Sequence, residues 1–334
     1  MLTNNTGFSV KQKEEKFIED GKKNCSALSV VLRNEGILGG PHFLKMYYAV
    51  EGRDISVDIE QAGIRRVRLT AVSPISMSAL WGFYSQLERL LVLLDGRFLI
   101  IEKMEFSGEN LSEVEYGEYA DECRKQRLVY CKTDPAYCYT DHCFLKFEDV
   151  ITPDLLSRWF ALQEQLDIVH QVVLYNIADT GITHDVKCAN FIECLEPMTE
   201  IINEYKRFFP SLKPGERTTT LKMCIDAVIS KYGTDIFARE YSANKERFLQ
   251  VLVNTRNRII HIKRNQTKDK FLSDSESILY LVKLCHLYRV VLLSLLGMDY
   301  DSYRDAVVSS VKRWENWEGI LDNFLAGLNT SQNK

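Results

Sequence analysis

Two periods of hydrophobic residues divide the chain. In the first 150 residues, alternation dominates. Phe43–Val50 and Ile55–Ile59 read as strands, the second alternating Ile55, Val57 and Ile59 with Ser56 and Asp58. Glu51-Gly52-Arg53-Asp54 makes the turn between them. Val67, Leu69 and Ala71 alternate with Arg66, Arg68 and Thr70 in a third strand, whose outward arginines read as a solvated face. Met77, Leu80, Trp81, Tyr84, Leu87, Leu91 and Leu94 then recur at helical spacing, with Gly96 as the stop. Phe98–Phe106, Arg127–Tyr130 and Cys143–Phe147 are further strand candidates, and residues 1–25 look loose or marginally helical.

From Thr152 onward the period is helical. Thr152-Pro153-Asp154 supplies a cap, a first-turn proline and an acid, and Leu155, Trp159, Leu162, Leu166, Val169 and Val173 follow towards Ile177. His170, alone on that apolar helix, reads as structural. After a break over 178–187, Phe191 to Phe209 is helical in pattern, with Pro197 predicting a kink or a new start. Leu221 to Tyr232 forms a helix stopped by Gly233. Phe248, Leu249, Leu252, Val253, Ile259 and Ile260 stripe a helix over 244–263. Ser273-Asp274-Ser275-Glu276 is a capping box for a long helix ending at Gly297, and Ser302 and Asp305 open a last one through Trp314 and Trp317. The fold class expected is α+β: a β-rich domain over 1–150, then an all-α bundle over 151–334.

Composition narrows the class only slightly. With 46% hydrophobic and 26% charged residues in 334, the chain is that of an ordinary globular protein. A net charge of −4 leaves room for a nucleic-acid ligand only at a locally basic surface. Nine scattered cysteines behind a polar first 25 residues fit a reducing cytoplasm, and no apolar run reads as a membrane span, Val290–Leu296 being the nearest. Cys123, Cys131, Cys138, His142 and Cys143 lack the close pairs of a zinc site, so neither metal nor cofactor is expected.

The stretch with chemistry is Arg256-Asn257-Arg258-Ile259-Ile260-His261, at the end of the 244–263 helix. Asn257 and His261, four apart, share a face, and Asn257 can fix one ring nitrogen of the imidazole. Arg256 lies about 100° round from Asn257, yet its side chain is long enough to reach the imidazole. Histidine exchanges a proton near neutral pH, and arginine offers a charged planar fork matched to phosphate. Together they can activate a ribose 2′-hydroxyl and stabilise the attacked phosphate; RNA brings its own nucleophile, so no metal is needed. Arg258, Lys263 and Arg264, with Lys268 and Lys270 beyond, make a basic surface that can follow an RNA backbone. His286 and Arg289 on the 274–296 helix, and Asp226 as a supporting acid, are weaker candidates for the same place. A non-catalytic RNA- or nucleotide-binding module and a plain helical scaffold are the other readings.

Leu252-Val253-Asn254-Thr255-Arg256-Asn257-Arg258-Ile259-Ile260-His261 resembles the signature helix of HEPN-domain ribonucleases. More narrowly, it is similar to the HEPN domain of the ApeA family of bacterial anti-phage proteins. The resemblance implies a helical HEPN domain after a β-containing domain, with Arg256 and His261 catalytic and Asn257 as the polar motif position. It implies metal-independent RNA cleavage in abortive infection, a homodimer that brings two motifs together, and an N-terminal domain that responds to a phage-derived trigger. One HEPN subgroup carries a modified tyrosine two residues after the histidine; Lys263 stands there, which disfavours a toxin–antitoxin role.

Overall fold

The computed structural model describes residues 15–33, 41–127, 142–178, 181–201, 220–261 and 270–329. They fall into two compact units: Met1–Leu91, Phe98–Ala136 and Lys146–Ser157 in the first, and Val92–Arg97, Tyr137–Leu145 and Arg158–Lys334 in the second.

The first unit is built on a five-stranded antiparallel sheet: β1 (Asn24–Arg33), β2 (His42–Val50), β3 (Arg53–Ala62), β4 (Ile64–Ser76) and β5 (Ile100–Ser107), in the spatial order β2-β3-β4-β1-β5. The β2–β3 hairpin closes through two residues, Val50 pairing with Arg53. Both loop residues take positive φ, 49° at Glu51 and 72° at Gly52, as the twist of a two-residue hairpin demands. One face of the sheet is apolar and buried: Ile55, Val57 and Ile59, Val67 and Leu69, Leu28, Val30 and Leu32, Met104 and Phe106. The helix α1 (Met77–Asp95) buries Leu80, Phe83, Tyr84 and Leu87, and Phe83 meets Tyr48 of β2 with ring centroids 5.5 Å apart. Gly96, at φ 78°, ends it in the left-handed region, as its position predicts.

Three elements differ from the sequence reading. The interior strand β1 was not marked, nor was α2 (Glu113–Gln126), which carries a Ser112–Glu115 capping box and buries Tyr116, Tyr119, Ala120 and Cys123. Cys143–Phe147 is not a strand; a single helical turn, Phe147–Val150, follows. Phe144 and Phe147 are each buried, but Phe144 lies 5.0 Å from the ring of His286 in the second unit, while Phe147 sits under the Arg65 guanidinium in the first. Each ring finds its own niche, so alternation there has no sheet face to serve. Residues 128–130 of the Arg127–Tyr130 candidate lie outside the described residues, as do Cys131 and Cys138.

The second unit is helical: α3 (Pro153–Ile177, inside the unit from Arg158), α4 (His184–Ile201), α5 (Leu221–Tyr232), α6 (Ala238–Ile260), α7 (Asp274–Leu295), α8 (Arg304–Glu315) and α9 (Ile320–Asn329). α4 runs through Pro197 as one element rather than starting anew there. The last helix expected is α8, which stops at Glu315; a further helix, α9, follows a turn in which Glu318 and Gly319 both take positive φ (50° and 66°). α7 is the hub, buried along almost its whole length from Leu279 to Leu293 and packed on α4, α5, α8 and α9. It also corrects the membrane reading: it is long and apolar enough to cross a bilayer, with a mean hydropathy of 1.7, but 83% of that stretch is buried inside the protein, as in a bundle core.

Candidate active site

The motif helix α6 packs on α4, α5 and α9. One residue inside it, Asn244, is not helical (φ −164°, ψ 85°), and its Oδ1 accepts the backbone N–H of Arg247 at 3.1 Å. Asn244 is thus an internal N-cap, and the motif segment begins where the sequence places it. Ile260 is its last helical residue; His261 follows as the C-cap, its N–H bonded to the Asn257 carbonyl at 3.2 Å.

Phe248, Leu249, Val251 and Leu252 are buried, which fixes the helix and turns Arg256 and Asn257 half outwards. The Arg256 guanidinium then makes four contacts. Nε and Nη2 donate to the two carboxylate oxygens of Glu193 on α4, the latter at 2.9 Å. Nη1 donates to Oδ1 of Asn257 at 2.9 Å and lies 2.6 Å from Nε2 of His261. An arginine has no acceptor, so in this contact Nε2 accepts and the ring hydrogen sits on Nδ1. The hydrogen bonds it donates to Glu193 hold the Arg256 pKa above its already high ordinary value, so the head group stays a cation. The Arg256 side chain is 15% exposed and that of Glu193 41%. His261 is exposed.

The structure therefore brings Arg256, Asn257 and His261 together. It changes one detail: Asn257 spends its carbonyl oxygen on Arg256, and orients the guanidinium rather than the imidazole. Glu193 is the residue that the sequence reading missed. Its neighbours Phe191, Ile192, Cys194 and Leu195 are buried, so an acid at this place is a surface acid by pattern, and nothing local ties it to a residue 63 positions away.

The chain returns to the motif helix after 262–269. Asn254 Nδ2 donates to the Lys270 carbonyl at 3.1 Å, and the Leu272 N–H donates to Oγ1 of Thr255 at 2.9 Å. Between these anchors Phe271 lies against Arg258, whose guanidinium carbon is 3.7 Å from the ring centroid. Lys263, Arg264 and Lys268 lie outside the described residues.

The weaker candidates go elsewhere. His286 is fully buried, with Nε2 2.8 Å from Oγ of Ser310, and burial pushes its pKa well below the ordinary histidine value. Arg289, also fully buried, donates to the carbonyls of Leu93, Leu94 and His142 and lies over the Phe144 ring. Neither lines a site with His261. Asp226 bonds Ser230, Tyr241 and Lys245, and so ties α5 to the start of α6. His170 is structural as read: its Nδ1 is 2.9 Å from the Tyr288 hydroxyl, and its ring stands edge-on to Trp159.

The family model of the Apea-like HEPN domain matches residues 195–302, a span that takes in the motif and begins two residues after Glu193. The chain carries an Apea-like HEPN domain within its helical unit, preceded by the five-stranded sheet. HEPN domains are ribonuclease-type or nucleotide-binding modules of defence systems. No curated protein and no solved structure matches the chain.

Proposed function

We propose that this Apea-like HEPN domain is a metal-independent endoribonuclease acting in anti-phage defence by abortive infection, with Arg256, Asn257 and His261 as its site. The observation that carries the reading is the 2.6 Å approach of the Arg256 Nη1 to the His261 Nε2. It sets a fixed cation beside a nitrogen lone pair, the two groups that 2′-hydroxyl attack on a phosphodiester requires. His261 Nε2 takes the 2′-hydroxyl proton. O2′ bonds to phosphorus, the P–O5′ bond breaks, and the products carry a 2′,3′-cyclic phosphate and a 5′-hydroxyl. Arg256 turns its Nη1 from the imidazole to the phosphate oxygens as their charge grows. Asn257 holds the guanidinium in reach.

The departing 5′-oxygen needs a proton from the opposite side of phosphorus. The His261 of a second copy supplies it in a homodimer whose two-fold axis brings the motifs together. Arg258, Lys263 and Arg264 hold the flanking RNA. The sheet-bearing unit restrains the nuclease until a phage-derived trigger relieves it; the ApeA resemblance supports that role.

One observation favours a second reading, a module that binds RNA or a nucleotide without cutting. Glu193 already offsets the charge of Arg256 through two bonds. The test is cleavage of a quenched fluorescent single-stranded RNA, with and without extract of infected cells and with and without EDTA. Cleavage that survives EDTA and disappears in both Arg256→Ala and His261→Ala supports the nuclease. Normal cutting by both variants overturns it. Salt-dependent binding with no cutting under any condition selects the binding module.

A further inference from the structure

Arg258 differs from its neighbours in the motif. It is exposed, and its guanidinium carbon lies 3.7 Å from the ring centroid of Phe271. No hydrogen bond or ion pair from the described residues engages its five N–H donors, whereas Arg256 nearby uses four contacts. The guanidinium carbon lies over the Phe271 ring, and the group's N–H edges have no protein partner among the described residues. Phe271 is half-buried, and its position is fixed from both sides: the Lys270 carbonyl accepts from Asn254 and the Leu272 N–H donates to Thr255. Both anchoring residues belong to α6. The stack is therefore built on the motif helix and not on a free loop.

Arg258 and His261 are three positions apart on that helix, the spacing at which side chains share a face. That spacing sets Arg258 within reach of a base whose neighbouring phosphate lies at His261. Every unpaired base has a π-face, and arginine planes and aromatic rings are the surfaces on which such bases stack. A base paired within a duplex does not expose that face.

We propose that Arg258 and Phe271 form a base-stacking subsite beside His261, and that the substrate is unpaired RNA with its base laid on the outer face of the Arg258 guanidinium. The subsite rests on the nuclease reading for its location, but not for its own chemistry. Phe271 is its positioning residue, since the guanidinium rests over its ring.

The probe is a short fluorescein-labelled single-stranded RNA, and the same strand annealed to its complement. Binding is measured by anisotropy with full-length protein carrying His261→Ala, so that no cleavage intervenes. The subsite predicts tighter binding of the single strand than of the duplex. Adding Phe271→Leu, which keeps an apolar side chain but removes the ring, weakens single-strand binding roughly tenfold and leaves duplex binding unchanged. Arg258→Lys keeps the charge and gives the same selective loss, which a mere phosphate contact would not. Circular dichroism and thermal unfolding check that each variant folds. Equal affinity for single strand and duplex, no RNA binding at all, or single-strand affinity unmoved by Phe271→Leu and Arg258→Lys in folded protein each overturns the subsite. The two proposals separate cleanly. Wild-type cleavage with unchanged KM and cut sites in Phe271→Leu removes the subsite and keeps the nuclease; selective binding without cutting by wild type does the reverse.

Discussion

Arg256 and His261 stand 2.6 Å apart at Nη1 and Nε2, although five positions on a helix put their Cα–Cβ bonds about 140° apart round the axis. Asn257 explains the meeting. It shares the face of His261, and its Oδ1 accepts from the same Nη1 at 2.9 Å, which draws the long arginine side chain round to that face. A single polar residue after the arginine is thus a mechanical part of the pair.

Asn257→Ala should therefore damage the site without removing either reacting group. The lost bond is one from a charged donor, worth about 1.5–3 kcal/mol. Single-turnover cleavage is expected to fall roughly tenfold to a hundredfold, while Arg256→Ala removes it. Asn257→Asp, which keeps an acceptor, should fall less than Asn257→Ala. Equal loss in the two would show that Asn257 does not act through the guanidinium.

Glu193 acts on the same head group from α4. Its carboxylate is 41% exposed, so screening limits the pair to about 0–1 kcal/mol of stability. Glu193→Gln should lower the Tm by at most a few degrees. Its kinetic effects should oppose each other in kcat/KM. Removing the countercharge strengthens attraction for phosphate, so KM for RNA falls. Loosening the fork misplaces Nη1, so kcat falls as well. A raised KM with unchanged kcat would assign Glu193 to substrate binding instead.

Much of this architecture is legible in the sequence, and the exceptions have physical causes. The β2–β3 hairpin, α1 and α5 declare themselves by periodic apolar positions that end in a turn residue or a cap, and α7 by a capping box ahead of a long apolar run. β1 does not: it is an interior strand between β4 and β5, with Ala27 and Leu28 both buried, and the adjacent Val30 and Val31 blur its alternation. α2 is polar overall and shows only a narrow stripe of Tyr116, Tyr119, Ala120 and Cys123; its Ser112–Glu115 capping box was the available sign. At the site, the residues within one helix were readable because helix geometry relates them. Glu193 was not, because only the packing of α4 on α6 relates it to Arg256. His286 and Arg289 looked chemical because polar residues on an apolar helix invite function. Burial shows them instead as internal hydrogen-bonding groups.

The buried histidine makes stability depend on pH. Desolvation, with a further push from Arg289 and His142, depresses the His286 pKa well below 6.5, and His142 shifts the same way, chiefly through burial. In the unfolded chain both return to about 6.5. Below that value the unfolded state binds more protons than the native one, so stability rises with pH there. The native state is thus unpenalised above about pH 6.5 and loses stability progressively as pH falls below it. Thermal unfolding between pH 7.5 and 5 should show a falling Tm on the acid side. His286→Gln, which can still reach Ser310 but does not titrate, should flatten that slope. An unchanged slope would place the pH dependence on other groups.

Lys283 is a charge wholly buried at the middle of α7. Its Nζ lies 2.5 Å from Glu240 on α6 and 2.6 Å from Glu315 on α8, and the Tyr280 hydroxyl donates to the same Glu240 oxygen at 3.0 Å. The cluster joins three helices, and Glu240 sits at the start of the helix that carries the motif. Burying these ions costs several kcal/mol each, so the cluster need add little net stability over apolar side chains of the same size. Breaking it is another matter. Lys283→Met leaves the buried Glu240 and the half-buried Glu315 without their cation and should cost about 3–5 kcal/mol in urea unfolding. Adding Glu240→Gln neutralises one stranded charge while keeping an acceptor for Tyr280, so Lys283→Met/Glu240→Gln should recover part of that loss. A double variant no more stable than Lys283→Met would mean that the single change acts through packing of the lysine stem against Phe237 and Tyr280, rather than through unpaired charge.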